Sequence, residues 1–345
     1  MSETVITGLV DPLPWHSRQW ADIFKRLNND ALPHALLLRG AEGLGKAHFA
    51  YYLALSLLCR EKGPDNAPCG YCRGCELNRA ASHPDLLNIG IPEDKKVIGV
   101  DQIRALIDVM TLKPQYGQYK IVIISPADRL NHNAANSLLK TLEEPPGGTL
   151  LLLCSDQPAM LPATIRSRCQ QLSFQRPEAS LARQWLGQTL SEQAAEGKAE
   201  QPVSADELDV LLNMADGAPL KAARIAAADL NQSRQALFQG FERLVSGEAN
   251  PSKIAEEWLK LGAKESLYWL YSWIIDMIRL SMASDPALIA NVDIHKRLAA
   301  IAGQVNKKCL FLNLDKTGQA LKLLDHPLNQ QLMLENLLMG WCRKS

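Results

Sequence analysis

HALLLRGAEGLGKAHFA, His34 to Ala50, is the stretch on which the reading of this chain turns. HALLLR is a continuous apolar run and GAEGLGK is rich in glycine. Ala50, Leu53, Ala54, Leu57 and Leu58 then share one face of a helix. Strand, loop and helix in that order are the setting in which backbone N–H groups and a lysine cradle phosphate. Gly40, Gly45 and Lys46 keep the spacing G-x-x-x-x-G-K, and Gly43 adds a further flexible position. The next residue of such a loop brings a hydroxyl for magnesium, and here it is Ala47. The plain alternative is a helix-entry turn in which Lys46 is a lone point charge.

Outward from this stretch, DLLNIG (Asp85–Gly90), KIVIIS (Lys120–Ser125), LLLLC (Leu150–Cys154) and CQQLSF (Cys169–Phe174) also read as strands. Most lack polar alternation, as strands buried on both faces of a parallel sheet do. Helical patterns separate them; Ala134, Leu138, Leu139 and Leu142 mark one such helix. Strand alternating with helix predicts an α/β sheet with crossover helices over residues 1–175. After Arg176-Pro177 the strand pattern ends. Residues 176–226 read as a small helical unit with a polar break at SEQAAEGKAEQPVSAD (Ser191–Asp206). Residues 227–345 read as a second helical unit, with Leu267, Leu270, Ile274, Met277 and Ile278 in one apolar stripe and Leu321 and Leu324 opening another.

The composition is that of a globular protein: 47% hydrophobic, 21% charged, 345 residues. Lys plus Arg and Asp plus Glu are both 37, a formal net charge of zero. A protein that grips DNA alone usually carries a basic excess, so any nucleic-acid contact is local or shared with partners. MSETVITGLVDPLPW has neither the basic start nor the apolar core of a signal peptide. LYWLYSWIIDMIRL (Leu267–Leu280) is too short and too charged to span a bilayer. The expected location is the cytoplasm, where clustered cysteines are metal ligands rather than disulfides.

Cys69, Cys72 and Cys75 form C-x2-C-x2-C in APCGYCRGCE, and Cys59 lies upstream at the end of the first helix. Four thiolates satisfy tetrahedral zinc and leave no open coordination position, so a zinc module over about residues 59–83 is expected to be structural. Gly70 and Gly74 are expected to allow the tight turns between ligands. The bland reading is four unrelated buried cysteines. Cys154 reads as core, and Cys309 and Cys342 have no partner motif.

An NTPase of this class needs an acidic residue at the end of a second apolar strand, to hold magnesium and orient water. KIVIIS is that strand, and it ends in Ser125-Pro126; Asp128 lies past the strand tip. Two magnesium positions thus lack their oxygen ligands. The loop is expected not to hydrolyse nucleotide, and weak binding stays open.

NAANSLLKTLEEPP (Asn133–Pro146) and LPATIRSRCQQLSF (Leu161–Phe174) closely resemble the bacterial clamp-loader ATPases of the AAA+ class. The four cysteines, SHPD (Ser82–Asp85) and VDQIRAL (Val100–Leu106) fit the same family. The resemblance is dense over residues 34–175 and architectural beyond. It implies an α/β AAA+ (P-loop NTPase-like) domain with an inserted zinc module, a small helical lid and an all-α C-terminal collar domain. Active motors of the family keep the hydroxyl and an Asp-Glu pair; this chain resembles the members that have lost them. Ser155 takes the place of the first sensor, and DGAPLKAARI (Asp216–Ile225) has Leu220 where the second sensor's arginine would stand, with Lys221 and Arg224 nearby.

The resemblance also singles out Arg168, in Ser167-Arg168-Cys169, as the arginine that reaches across a subunit boundary to a neighbour's γ-phosphate. A guanidinium suits that role because it stays charged and offers several donors. Arg166 is the rival, and an ordinary surface arginine paired with a carboxylate is the plain alternative. Glu143 and Glu144 end a helix at Pro145-Pro146, where negative charge opposes the macrodipole. They are either solvated or matched to a basic partner.

Three kinds of function follow. One is a non-hydrolysing clamp-loader subunit of the replicase, a stator working with ATPase motor subunits, the clamp-opening delta subunit, the sliding clamp and primed DNA. The others are an active motor of the same family and a zinc-stabilised DNA-binding adaptor. Ala47 and Ser125-Pro126 weigh against the motor, and zero net charge and a closed cysteine set against the adaptor. The expectation is the first.

Overall fold

A computed structural model describes residues 10–195, 205–227, 230–282, 289–324 and 328–341. Much of the 191–206 polar break, the first nine residues and Cys342 lie outside the described residues. The chain divides into two compact units, Met1–Trp185 and Leu186–Ser345.

The first unit is built on five parallel strands: β1 (Ala35–Arg39), β2 (Leu86–Ile89), β3 (Lys120–Ile124), β4 (Thr149–Ser155) and β5 (Gln170–Ser173). They lie in the order β2-β3-β4-β1-β5. All five stretches read as strands from the sequence are strands, and the sheet is the parallel one expected. Leu37 pairs with Leu153 across β1–β4 and with Gln171 across β1–β5. Because successive side chains point to opposite faces, both faces of the central strands must be covered. Leu37, Val122, Ile124, Leu151 and Leu153 pack with Ile103 and Leu106 of α4 (Val100–Met110) and Leu138 and Leu142 of α5 (His132–Glu143). Their alternates Leu36, Leu38, Ile121, Leu150 and Leu152 are equally buried, with α2 (Lys46–Leu58) packed on the sheet.

One expectation changes here. The sequence suggests that α2 buries a single face, yet every residue of it except His48 is buried. The outer side is covered by aromatic rings from the N-terminal segment. Trp20 of α1 (Ser17–Asn28) lies 4.9 Å from both Phe49 and Tyr52, and His16 lies 5.5 Å from Phe49. A helix that is apolar all round is a core helix.

The described part of the second unit is helical. It comprises the part of α7 (Ala179–Ala195) from Leu186 on, α8 (Ala205–Met214), α9 (Pro219–Ala227), α10 (Leu230–Val245), α11 (Pro251–Leu261), α12 (Ala263–Ser281), α13 (His295–Ala302), α14 (Lys307–Leu323) and α15 (Gln330–Met339). The stripe Leu267, Leu270, Ile274, Met277 and Ile278 on α12 is buried with Trp258, Trp273 and Leu298 in one core, against which Leu321 and Leu324 pack. Arg234 is buried in this unit and donates both terminal nitrogens to the Asp293 carboxylate at 2.8 Å. Among the described residues, no helix is long and apolar enough to cross a membrane.

Candidate functional site

The glycine-rich loop leaves β1 and enters α2. The Gly40 N–H donates to the Ser155 carbonyl at 3.4 Å, which ties the loop to the tip of β4. Gly43 and Gly45 take φ of 81° and 84°, a region that side chains with a Cβ avoid. Between them the Leu44 carbonyl accepts from Trp15 Nε1 at 3.0 Å and from His16 Nε2 at 2.8 Å. Burial lowers the His16 pKa to about 4, so the ring is neutral and its Nε2–H serves this bond. The loop keeps the shape of a phosphate cradle and is braced from beneath.

Its lysine is committed elsewhere. Lys46 is 1% exposed; Nζ lies 2.5 Å from Asp156 Oδ1 and donates to the Ala41 carbonyl at 2.7 Å. Asp156 follows β4 directly, so the sheet delivers its carboxylate to the loop. Burial raises the Asp156 pKa and the Lys46 charge opposes that rise. Asp128 Oδ1 accepts from the Asp156 N–H at 2.8 Å and so fixes the turn that carries Asp156. Ala47 is buried and offers no oxygen, and β3 runs into Ser125-Pro126. Ser155, at the tip of β4, is buried, and its hydroxyl has no hydrogen-bond partner among the described residues. These residues do not fit a magnesium nucleotide: its metal ligands are missing and the loop cation is neutralised by the chain's own carboxylate.

Cys59, Cys69, Cys72 and Cys75 come together. Their Sγ atoms all lie within 4.8 Å of one another, with Cys59–Cys72 and Cys69–Cys75 both at 3.9 Å. The cluster could bind a metal ion. Cys59 caps the C-terminus of α2, and Cys72 caps the N-terminus of α3 (Arg73–Arg79), which carries Cys75. Backbone N–H groups of Cys69 and Cys72 point to Cys59 Sγ and Cys69 Sγ, each at 3.3 Å. Burial pushes the Cys59 and Cys75 thiols up. Gly70, with φ of 82°, makes the turn expected of it. Gly74 does something different: it lies inside α3, and a Cβ there would come 2.6 Å from the Leu58 carbonyl oxygen. It permits α3 to approach the end of α2.

Arg168 is the last residue of α6 (Ala163–Arg168) and is 35% exposed. Its Nε donates to Glu143 Oε1 at 2.8 Å, a second terminal nitrogen lies 2.5 Å from the same oxygen, and the other donates to the Thr164 carbonyl at 3.0 Å. Glu143, left open between solvent and a basic partner, therefore has the partner. Arg166 is partly buried, and its Nε has no hydrogen-bond partner among the described residues. In the second unit, Leu220 stands in α9 and the Lys221 ammonium lies 5.7 Å from the centroid of the Tyr268 ring.

A five-stranded parallel sheet with a glycine-rich loop after its first strand, carrying a four-cysteine module and followed by helices, defines a P-loop NTPase-like domain of the AAA+ class. A family model described as "DNA polymerase III, delta subunit" matches residues 15–178, and one described as "DNA polymerase III, delta subunit, C terminal" matches residues 228–343. The DNA polymerase III subunit delta' of Pseudomonas aeruginosa is 33% identical over 335 residues, 96% of this chain and 98% of its own. That of Escherichia coli is 31% identical over 274 residues, 79% of this chain and 77% of its own. The DNA polymerase III subunit tau of Bacillus subtilis is 34% identical over 192 residues, 54% of this chain and 31% of its own. The chain belongs to the family of delta' subunits of the bacterial DNA polymerase III clamp loader.

Sequence reasoning passed over Asp156. An aspartate directly after a buried strand was visible in LLLLCSD (Leu150–Asp156), but only the strand order brings it to Lys46.

Proposed function

We propose that this chain is a non-hydrolysing, stator subunit of the clamp loader that supplies Arg168 in trans to a neighbouring ATPase subunit. The observation that carries the first half is the Lys46–Asp156 pair. A phosphate loop acts by presenting positive charge to phosphate, and here the 2.5 Å carboxylate consumes it. The missing hydroxyl at Ala47 and the Ser125-Pro126 end of β3 support the same reading. Steady-state turnover measured on the isolated protein with ATP and magnesium tests it: a rate typical of a motor would end this part of the proposal.

The second half rests on Arg168 lying partly exposed at a helix end within Ser167-Arg168-Cys169. Positioned positive charge that strengthens as phosphoryl charge spreads lowers a barrier without consuming anything in this chain. Residues 176–226 serve as the lid and residues 227–345 as the collar that holds the chain in a ring with motor subunits and the delta subunit. The ring opens the sliding clamp and sets it on primed DNA in the cytoplasm, and hydrolysis at the motors releases it.

The ion held by Cys59, Cys69, Cys72 and Cys75 is structural zinc. A tetrahedron with Zn–S of about 2.3 Å needs sulfurs about 3.8 Å apart. The 3.9 Å pairs already meet that spacing, and four thiolates close the coordination shell. The site would clip the end of α2 to α3 and takes no part in phosphate chemistry.

A further inference from the structure

We propose that Glu143 is the positioning residue of Arg168, presetting its guanidinium with the end of the fork unbonded. The inference rests on the trans-acting role of Arg168. A guanidinium has five N–H donors. Glu143 Oε1 takes the side formed by Nε and one terminal nitrogen, at 2.8 and 2.5 Å, and the Thr164 carbonyl takes the other terminal nitrogen at 3.0 Å. Two donors are hydrogen-bonded and the second terminal nitrogen is held by the ion pair, which leaves at least one N–H on each terminal nitrogen. Two such N–H groups, side by side on a planar fork, are the arrangement that binds two oxygens of a phosphoryl group.

The base of the side chain is fixed as well. Ile165 and Cys169, flanking Arg168 on α6 and its C-cap, are buried in the core shared with α5. Glu143 is the last residue of α5, where its charge is locally unfavourable. Arg168 offsets that cost, and the local misfit has a use: it plants a carboxylate beside the arginine. Lost rotamer freedom is a main cost of bringing a long side chain to a transition state, and this clamp removes part of it beforehand. The pair is half-exposed, so it holds orientation more than it holds the fold.

The test uses the assembled clamp loader in which only the motor adjoining this chain can hydrolyse ATP, measured for single-turnover rate and KM. Glu143→Ala should slow the chemical step on the order of tenfold to a hundredfold and leave KM for ATP unchanged. Glu143→Gln, whose amide oxygen still accepts from the fork, should recover most of the rate. Glu143→Ala combined with Arg168→Ala should be no slower than Arg168→Ala alone, because both act through one group. Thermal unfolding of Glu143→Ala should match the parent closely, which separates positioning from folding. A wild-type rate in Glu143→Ala beside a slow Arg168→Ala, or additive losses in the double variant, would overturn the proposal. A wild-type rate in Arg168→Ala would remove the trans-acting role itself, and this inference with it.

Discussion

Lys46 Nζ meets Asp156 Oδ1 at 2.5 Å with the lysine side chain 1% exposed, so the phosphate loop is closed by the protein's own carboxylate. With the lysine fully buried and Asp156 partly exposed, removing the carboxylate leaves an uncompensated buried charge. The loop therefore resists repair one residue at a time. Ala47→Thr alone should not create an ATPase, because Asp156 still holds the lysine and β3 still ends in Ser125-Pro126. Adding Asp156→Asn should free Lys46 for nucleotide phosphates and give measurable ATP binding by calorimetry, still without turnover. Turnover in the single Ala47→Thr variant would show that an acidic ligand, with Asp128 the first suspect, acts after all.

The four cysteines predict a metal dependence. Protein purified without chelators should hold one equivalent of Zn²⁺ by elemental analysis. Cys72→Ser should lower Tm, since it removes a thiolate ligand while keeping a residue that suits the N-cap position of α3. The loss should be several kcal/mol, on the order of that for other structural zinc sites once the unfolded chain's own affinity is discounted. Metal-free protein with an unchanged Tm would reject a structural ion.

Arg168→Ala should leave the protein folded, metal-loaded and able to assemble, because the arginine lies at a helix end and not in a core. ATP should still bind to the neighbouring motor. Hydrolysis at that one site should fall steeply, by about 10³- to 10⁵-fold where the arginine is the chief stabiliser. Total hydrolysis by a ring with several motors should fall less, and clamp loading more if the sites fire together. Arg168→Lys should rescue little, since an ammonium cannot reproduce the fork. The same substitutions at Arg166 are the control. Normal clamp loading by Arg168→Ala would defeat the trans role.

Acid should loosen the α/β unit through His16. Burial holds its folded pKa at about 4, against 6.5 for the free side chain. For a depressed pKa, the stabilising contribution is complete above the unfolded value and is lost as pH falls toward the folded one. The window is thus from about pH 6.5 down to about pH 4, and the whole shift corresponds to about 3 kcal/mol. Tm followed across this window should fall, and His16→Gln, which keeps an N–H donor for the Leu44 carbonyl but cannot titrate, should flatten that fall. An identical slope in both proteins would place the acid sensitivity elsewhere.

The sequence by itself determined the elements and the losses. Short apolar runs without alternation, separated by helical patterns, read as strands covered on both faces, and β1, β3 and β4 are such strands, whereas β5 is an edge strand with a single buried residue. The cysteine spacing is a local property, so the cluster of Cys59, Cys69, Cys72 and Cys75 was legible before any fold. Ala47, where a hydroxyl would stand, and Ser125-Pro126, where an Asp-Glu pair would stand, are read directly from the chain. The tertiary structure alone decided what the charged groups do. Asp156 reaches Lys46 because β4 lies beside β1 in the sheet, and Glu143 reaches Arg168 because α5 and α6 share one core. It also decided that α2 is buried all round, since the rings that cover it come from a segment earlier in the chain. Ionic partners and helix faces far apart in sequence are matched by packing, and a one-dimensional pattern carries the period of an element but not the identity of its neighbour.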